Sequence, residues 1–177
     1  MGIYCARWTG YIIYIHLGVN LVKINIVTVG NLKEKYLVEC EKEYLKRIGR
    51  FHNVNIIELP EEKLPKNYSQ ADVSKCLVRE GKKIEGNLSG FVIVMDIQGA
   101  NLDSVEFSKK IESISLNFDT ITFVIGSSFG LSQDIKTRAN MLLSFSKMTF
   151  PHQLFRVMLL EQIYRASTIS NNILYHK

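Results

Sequence analysis

Residues 120–152 read Thr120-Ile121-Thr122-Phe123-Val124-Ile125-Gly126-Ser127-Ser128-Phe129-Gly130, then a polar stretch, then Leu142-Leu143-Ser144-Phe145-Ser146-Lys147-Met148-Thr149-Phe150-Pro151-His152. The first run is apolar and β-branched almost without interruption, the pattern of a strand buried on both faces. A glycine-bearing turn ends it. Gln133–Ala139 has helical spacing, Leu142–Ser144 forms a second short strand, and Pro151, whose φ is preset for a helix start, leads into a helix over His152–Ser170. Strand, helix, strand and helix in this order specify an α/β fold with a mostly parallel sheet and helices on both faces.

The same alternation extends towards the N-terminus. Ile24–Val29, Val54–Leu59 and Gly90–Ile97 are further strands. Glu34–Arg47, Ala71–Glu85 and Ser104–Asn117 place apolar residues at helical spacing with charges opposite. On the last helix, Leu154, Phe155, Met158, Leu159, Gln162 and Ile163 fall on one stripe and are the expected core contacts. Glu58–Tyr68, with Pro60 and Pro65, reads as an exposed loop. At 177 residues, with eleven Gly, three Pro and no low-complexity stretch, the chain suits one domain without a flexible linker.

Residues 1–21 carry one charge, Arg7, and are rich in Tyr and Ile. No small-residue cleavage site follows as a signal peptide requires, and His16, Asn20, Lys23 and Asn25 interrupt any membrane span. The strand pattern begins at Val22-Lys23-Ile24. The expectation is therefore a soluble domain over 22–177 preceded by an extension that arises upstream of a native start at Val22. The N-terminal mass of the native gene product tests this.

A formal charge of +5 favours a polyanionic partner without requiring one. Cys5, Cys40 and Cys76 are scattered, which argues against a disulfide framework or a metal site and for a reducing, cytoplasmic setting. Dinucleotide-binding, P-loop, zinc-hydrolase and serine-elbow motifs are all missing. What remains is a set of glycines at strand ends: Gly30 after Val27-Thr28-Val29, Gly99 after Met95-Asp96-Ile97-Gln98, and Gly126. In open α/β sheets ligands bind beyond the carboxyl ends of strands, where glycine lets them approach the backbone. Glycine in a tight turn also serves sterics alone. Residues 142–152 mix Ser144, Ser146 and Thr149 with large apolar side chains. That composition suits a loop that buries an adenine and reads its edge through backbone groups, and equally a strand with alternate residues solvated.

Thr28-Val29-Gly30-Asn31-Leu32-Lys33, Ile97-Gln98-Gly99, Val124-Ile125-Gly126, Leu143-Ser144-Phe145-Ser146-Lys147-Met148-Thr149-Phe150-Pro151-His152, Glu161-Gln162-Ile163-Tyr164-Arg165-Ala166 and Tyr175-His176-Lys177 together resemble the RlmH family of SPOUT methyltransferases. The resemblance runs in order from Val22 to Lys177. It implies a SPOUT-type α/β knot, with a trefoil near the C-terminus, and a homodimer that uses S-adenosyl-L-methionine. The implied substrate is N3 of a pseudouridine in 23S ribosomal RNA of the large subunit or assembled ribosome. A different RNA target such as tRNA, or a noncatalytic ribosome-binding factor, are the alternatives. Membrane and metal have no part in it.

Carried over by position, cofactor contacts come from Met95, Gly126 and the loop Phe145, Ser146, Lys147, Met148, Thr149 and Phe150. Ser127 departs from the family's usual second glycine and puts the local turn in question. Asn171-Asn172-Ile173-Leu174 also differs from the family's tails. Methylation at N3 needs the imide proton removed, so the chemistry calls for positioning and a proton acceptor. His176, whose unperturbed imidazole titrates near neutrality, is the implied base. Tyr175 would orient the ring, Arg156 would steady developing negative charge, and Lys177 and His152 would contact the substrate. Arg165 and Glu161, four apart on one helix, read as an intrahelical pair.

Overall fold

The computed structural model describes residues 22–175. The expected N-terminal extension, His176 and Lys177 lie outside the described residues. In chain order the elements are β1 (Lys23–Val29), α1 (Lys35–Ile48), β2 (Asn53–Leu59), α2 (Gln70–Glu85), β3 (Phe91–Asn101), α3 (Ser104–Ser115), β4 (Thr120–Ile125), α4 (Gln133–Arg138), β5 (Met141–Ser144) and α5 (His152–Ser170). The five strands form one sheet in the order β2-β1-β4-β3-β5, and every pairing is parallel.

Alternation along each inner strand sends side chains to two cores. Ile24, Ile26, Ile93, Ile121, Phe123 and Leu143 face α3, α5 and the end of α1. Val27, Val29, Val92, Val94 and Val124 face α2 and α4. Phe123 and Ile121 are fully buried. Each side chain of this kind contributes roughly 1.5–3 kcal/mol through loss of apolar surface to water. Helices therefore cover both faces, as the near-continuous apolar strands require.

Helix ends follow local chemistry. Ser69 and Asp103 accept backbone N–H bonds at the starts of α2 and α3, and Asp72 and Glu106 reach back to complete capping boxes. Pro151 is the residue before α5.

Two expectations are corrected. The third strand does not stop at Ile97 but continues to Asn101. Both Met95 and Ala100 stand opposite Leu143, so residues 96–99 loop out between them. A β-carbon on Gly99 would lie 2.5 Å from the Leu143 nitrogen, which explains why glycine occupies that point of contact. The stripe on α5 also divides. Leu159 and Ile163 are buried, together with Val157, Leu160 and Ala166, but Leu154 is 41% exposed. α5 packs against α1 and α3 as well as the sheet, so its buried surface is broader than one stripe and rotated away from Leu154.

The segment expected as an exposed loop begins only after β2 ends at Leu59. It is also anchored, because Glu62 takes an ion pair from Lys83 and its N–H bonds Glu80.

Candidate functional site

A cavity of about 750 Å³ opens beyond the carboxyl ends of β3, β4 and β5. That volume lies within the usual range for a small-molecule site. Three segments wall it, residues 95–98, residues 125–131, and residues 143–146 with 148–152, and Lys136 of α4 and Phe155 of α5 complete the lining.

The turn after β4 is tight. Gly130 N–H donates to the Ser127 carbonyl at 2.9 Å, and Gly130 has φ of +87°. A β-carbon on Gly126 would stand 2.3 Å from the Gly130 oxygen and 2.8 Å from Leu131 Cγ. Only glycine lets this turn close. Ser127 has its hydroxyl committed: Oγ donates to Glu80 Oε2 at 2.9 Å. The other oxygen of that carboxylate accepts the Glu62 N–H at 3.0 Å. The departure from glycine at 127 is thus accommodated by a buried acceptor on α2.

The loop after β5 is held by its own serines. Ser144 Oγ donates to the Ser146 carbonyl at 2.8 Å, and Met148 N–H donates to Ser146 Oγ at 3.0 Å. Asn101 ties the loop to β3 through the Ser144 carbonyl at 2.9 Å. Phe145 and Phe150 pack on Phe155, with ring centroids 5.0 and 6.2 Å away. Backbone groups and aromatic faces together make the kind of wall that holds a flat heterocycle.

On the opposite side Lys136 Nζ bonds Asp96 Oδ2 at 2.6 Å, with the carboxylate 8% exposed. Asp96 also accepts the Gln98 N–H, which shapes the looped-out residues of β3. His152 sits where α5 begins and nearly touches Gly30, whose hypothetical β-carbon would be 3.7 Å from Nε2.

Met95, Gly126, Phe145, Ser146, Met148, Thr149, Phe150 and His152 are therefore brought together around one cavity. Lys147, in the same loop, is exposed and does not line it. Arg156 requires a correction. It is 3% exposed and pairs with Glu41 and, at 2.6 Å, with Glu58, tying α5 to α1 and β2. Its guanidinium is consumed by these two carboxylates and does not reach the cavity wall.

Tyr175 is also elsewhere. Its ring meets Tyr164 edge-on at 4.9 Å, lies 4.9 Å from the Arg165 guanidinium, and its hydroxyl donates to Glu161 at 3.3 Å. Burial and the Glu161 carboxylate raise its phenol above the ordinary tyrosine value. Arg165 and Glu161 form the expected pair at 2.6 Å.

Sequence reasoning missed the contributions of Lys136, Leu131, Phe155 and Glu80. For Glu80 a signal existed: it shares the buried stripe of α2 with Val73, Cys76 and Ile84 at helical spacing, an unusual place for a carboxylate. The Asp96–Lys136 pair joins residues forty apart and leaves no local pattern. Among the described residues, no three His, Cys, Asp or Glu side chains come together as a metal site needs, and no helix is long and apolar enough to cross a membrane.

Comparison with known proteins adds a second line. A family model described as "Predicted SPOUT methyltransferase" matches residues 22–176. The chain is 48% identical over 159 residues to Ribosomal RNA large subunit methyltransferase H of Leuconostoc mesenteroides, covering 88% of this chain and 100% of the relative. It is 49% identical over 159 residues, with the same coverage, to the protein of that name from Streptococcus pneumoniae.

Proposed function

The chain belongs to the SPOUT methyltransferase family, and from that premise we propose that it transfers the methyl group of S-adenosyl-L-methionine to N3 of a pseudouridine in 23S ribosomal RNA. The observation that carries this reading is the cavity beyond β3, β4 and β5, with glycine-closed backbone on one side and a serine-braced aromatic loop on the other. The name that these relatives carry supports large-subunit ribosomal RNA as the substrate.

The residues present fit the cofactor. Phe145, Phe150 and Leu143 offer apolar walls for an adenine, and the looped backbone of residues 126–131 and 145–150 offers N–H and C=O groups to its edges. When bound, the cofactor supplies an electrophilic methyl group on a sulfonium. The chain's own work is to exclude water, align the base, and accept the imide proton. His152, in the cavity lining, is the residue proposed to contact the incoming nucleotide. His176 follows Tyr175 in the tail and is the proposed proton acceptor, with Lys177 on the substrate side.

The fold reading extends to a trefoil knot formed by the segments around the cavity, to one methyltransferase unit over 22–177, and to a cytoplasmic homodimer. Leu154 and Met148 are exposed at 41% and 72%. A second recess of about 630 Å³ sets the apolar Leu102, Val105, Phe145 and Met158 beside the polar Asp103, Ser104, Glu161 and Gln162. Apolar surface of this kind suits a second copy, whose tail would complete the first copy's site.

The test is transfer of labelled methyl from S-adenosyl-L-methionine to intact ribosomes and to tRNA from a strain lacking the gene, followed by mass mapping. Label at N3 of a large-subunit pseudouridine is the expected result. Label confined to tRNA, or no cofactor binding at millimolar concentration, refutes the proposal.

A further inference from the structure

The carboxylates near the cavity are not equivalent. Asp96 is matched by Lys136 at 2.6 Å. Glu80 lies behind the turn after β4, is 3% exposed, and has no ion pair among the described residues. Its two oxygens instead accept from neutral donors, the Ser127 hydroxyl and the Glu62 N–H. The cations close to it on α2 are taken by Glu62, which pairs with Lys83 at 2.5 Å and Arg79 at 3.7 Å. Ser127 is itself part of the cavity wall. A buried carboxylate without a cation partner among the described residues is therefore one hydrogen bond from the site.

We propose that Glu80, held beneath the wall by Ser127, is a positioning residue whose charge makes the cavity prefer the cationic sulfonium cofactor over the neutral thioether product. This rests on the proposed use of S-adenosyl-L-methionine. Substrate and product differ by one methyl group and one unit of charge. Apolar walls such as Leu143 and Phe145 distinguish a methyl only weakly. A fixed carboxylate in a water-poor surrounding distinguishes the charge, because its field is screened less there than in water.

Calorimetric titration of the intact protein with S-adenosyl-L-methionine and with S-adenosyl-L-homocysteine tests the proposal. Glu80→Gln preserves shape and hydrogen-bonding capacity while removing the charge. It is expected to weaken binding of the sulfonium about fivefold, the size of a single charge acting across several ångströms at intermediate dielectric, and to leave the thioether's affinity unaltered. Ser127→Ala, which loosens the turn but keeps the charge, is expected to weaken both ligands by the same factor.

Equal weakening of both ligands by Glu80→Gln, or no change in either, overturns the proposal, since a purely structural role cannot alter their ratio. Should Glu80→Gln fail to fold, Glu62→Gln serves. It removes the carboxylate that offsets Arg79 and Lys83 on α2, so the net negative charge behind the same wall falls by one, and the same fall in the sulfonium-to-thioether ratio is expected. An unchanged ratio in that variant overturns the proposal equally. Wild-type protein that binds neither ligand overturns the proposed function itself.

Discussion

Replacing Arg156 with methionine separates a structural role from a chemical one. The guanidinium side chain is 4% exposed and bridges Glu41, 12% exposed, and Glu58, 43% exposed. Methionine fills similar volume but leaves Glu41 in the interior without its cation. Breaking a buried pair costs about 3–5 kcal/mol, and the partly solvated Glu58 adds little, so the lower end, about 3 kcal/mol, applies. For a chain of this size each kcal/mol moves the melting temperature by about 2–4 °C, which gives a fall of about 6–12 °C. Thermal unfolding followed by circular dichroism measures this, and single-turnover methyl transfer at a temperature where the variant is folded measures the chemistry. The expected outcome is a large drop in Tm with the transfer rate retained. A variant with wild-type Tm and a lost rate would refute the reasoning and return Arg156 to the reacting atoms.

Gly126→Ala places a methyl 2.3 Å from the Gly130 oxygen. The turn must open, at about 1–3 kcal/mol, and cofactor affinity measured by calorimetry should fall with it; unchanged affinity would mean that the turn does not shape the site. His52 is buried, its Nδ1 has no partner among the described residues, and desolvation lowers its pKa to about 4. The unfolded imidazole gains a proton near pH 6.5 while the folded one stays neutral. Stability contributed by this site is therefore complete above pH 6.5 and is lost as pH falls towards 4. At pH 4.5 the loss is about 2–3 kcal/mol. Urea denaturation of wild type and His52→Leu at both pH values isolates it, and identical pH dependence in the two proteins would contradict the assignment.

Most of the architecture was legible because it rests on short-range regularities. The runs at Phe91–Met95 and Ile121–Ile125 are apolar on both faces but for Thr122, which only a doubly covered parallel sheet accommodates. Pro151 marked a helix start by local chemistry. The cavity's glycines and the loop after β5 were legible as composition, and the resemblance joined them. What escaped is what depends on partners remote in sequence. Arg156 looked available for chemistry because nothing nearby in the chain shows that Glu41 and Glu58 converge on it. The return of β3 against Leu143 after Gly99, and the clasp of Ser127 on Glu80, likewise exist only once the sheet is assembled.

That assembly order has a consequence for the cavity. Its three walls come from strand ends that meet only through long-range parallel pairing, Ile93 with Met141 and Phe91 with Ile121 among them. Parallel pairing closes large loops before it returns any contact energy, so such walls come together late in folding. Ligand capture then reports a finished chain. A ligand spanning all three walls acts as a latch: at a hundredfold excess over its dissociation constant it adds about 2.7 kcal/mol against unfolding. Resistance to proteolysis should then rise as that ligand saturates the cavity, because cleavage needs the opened chain that the latch disfavours.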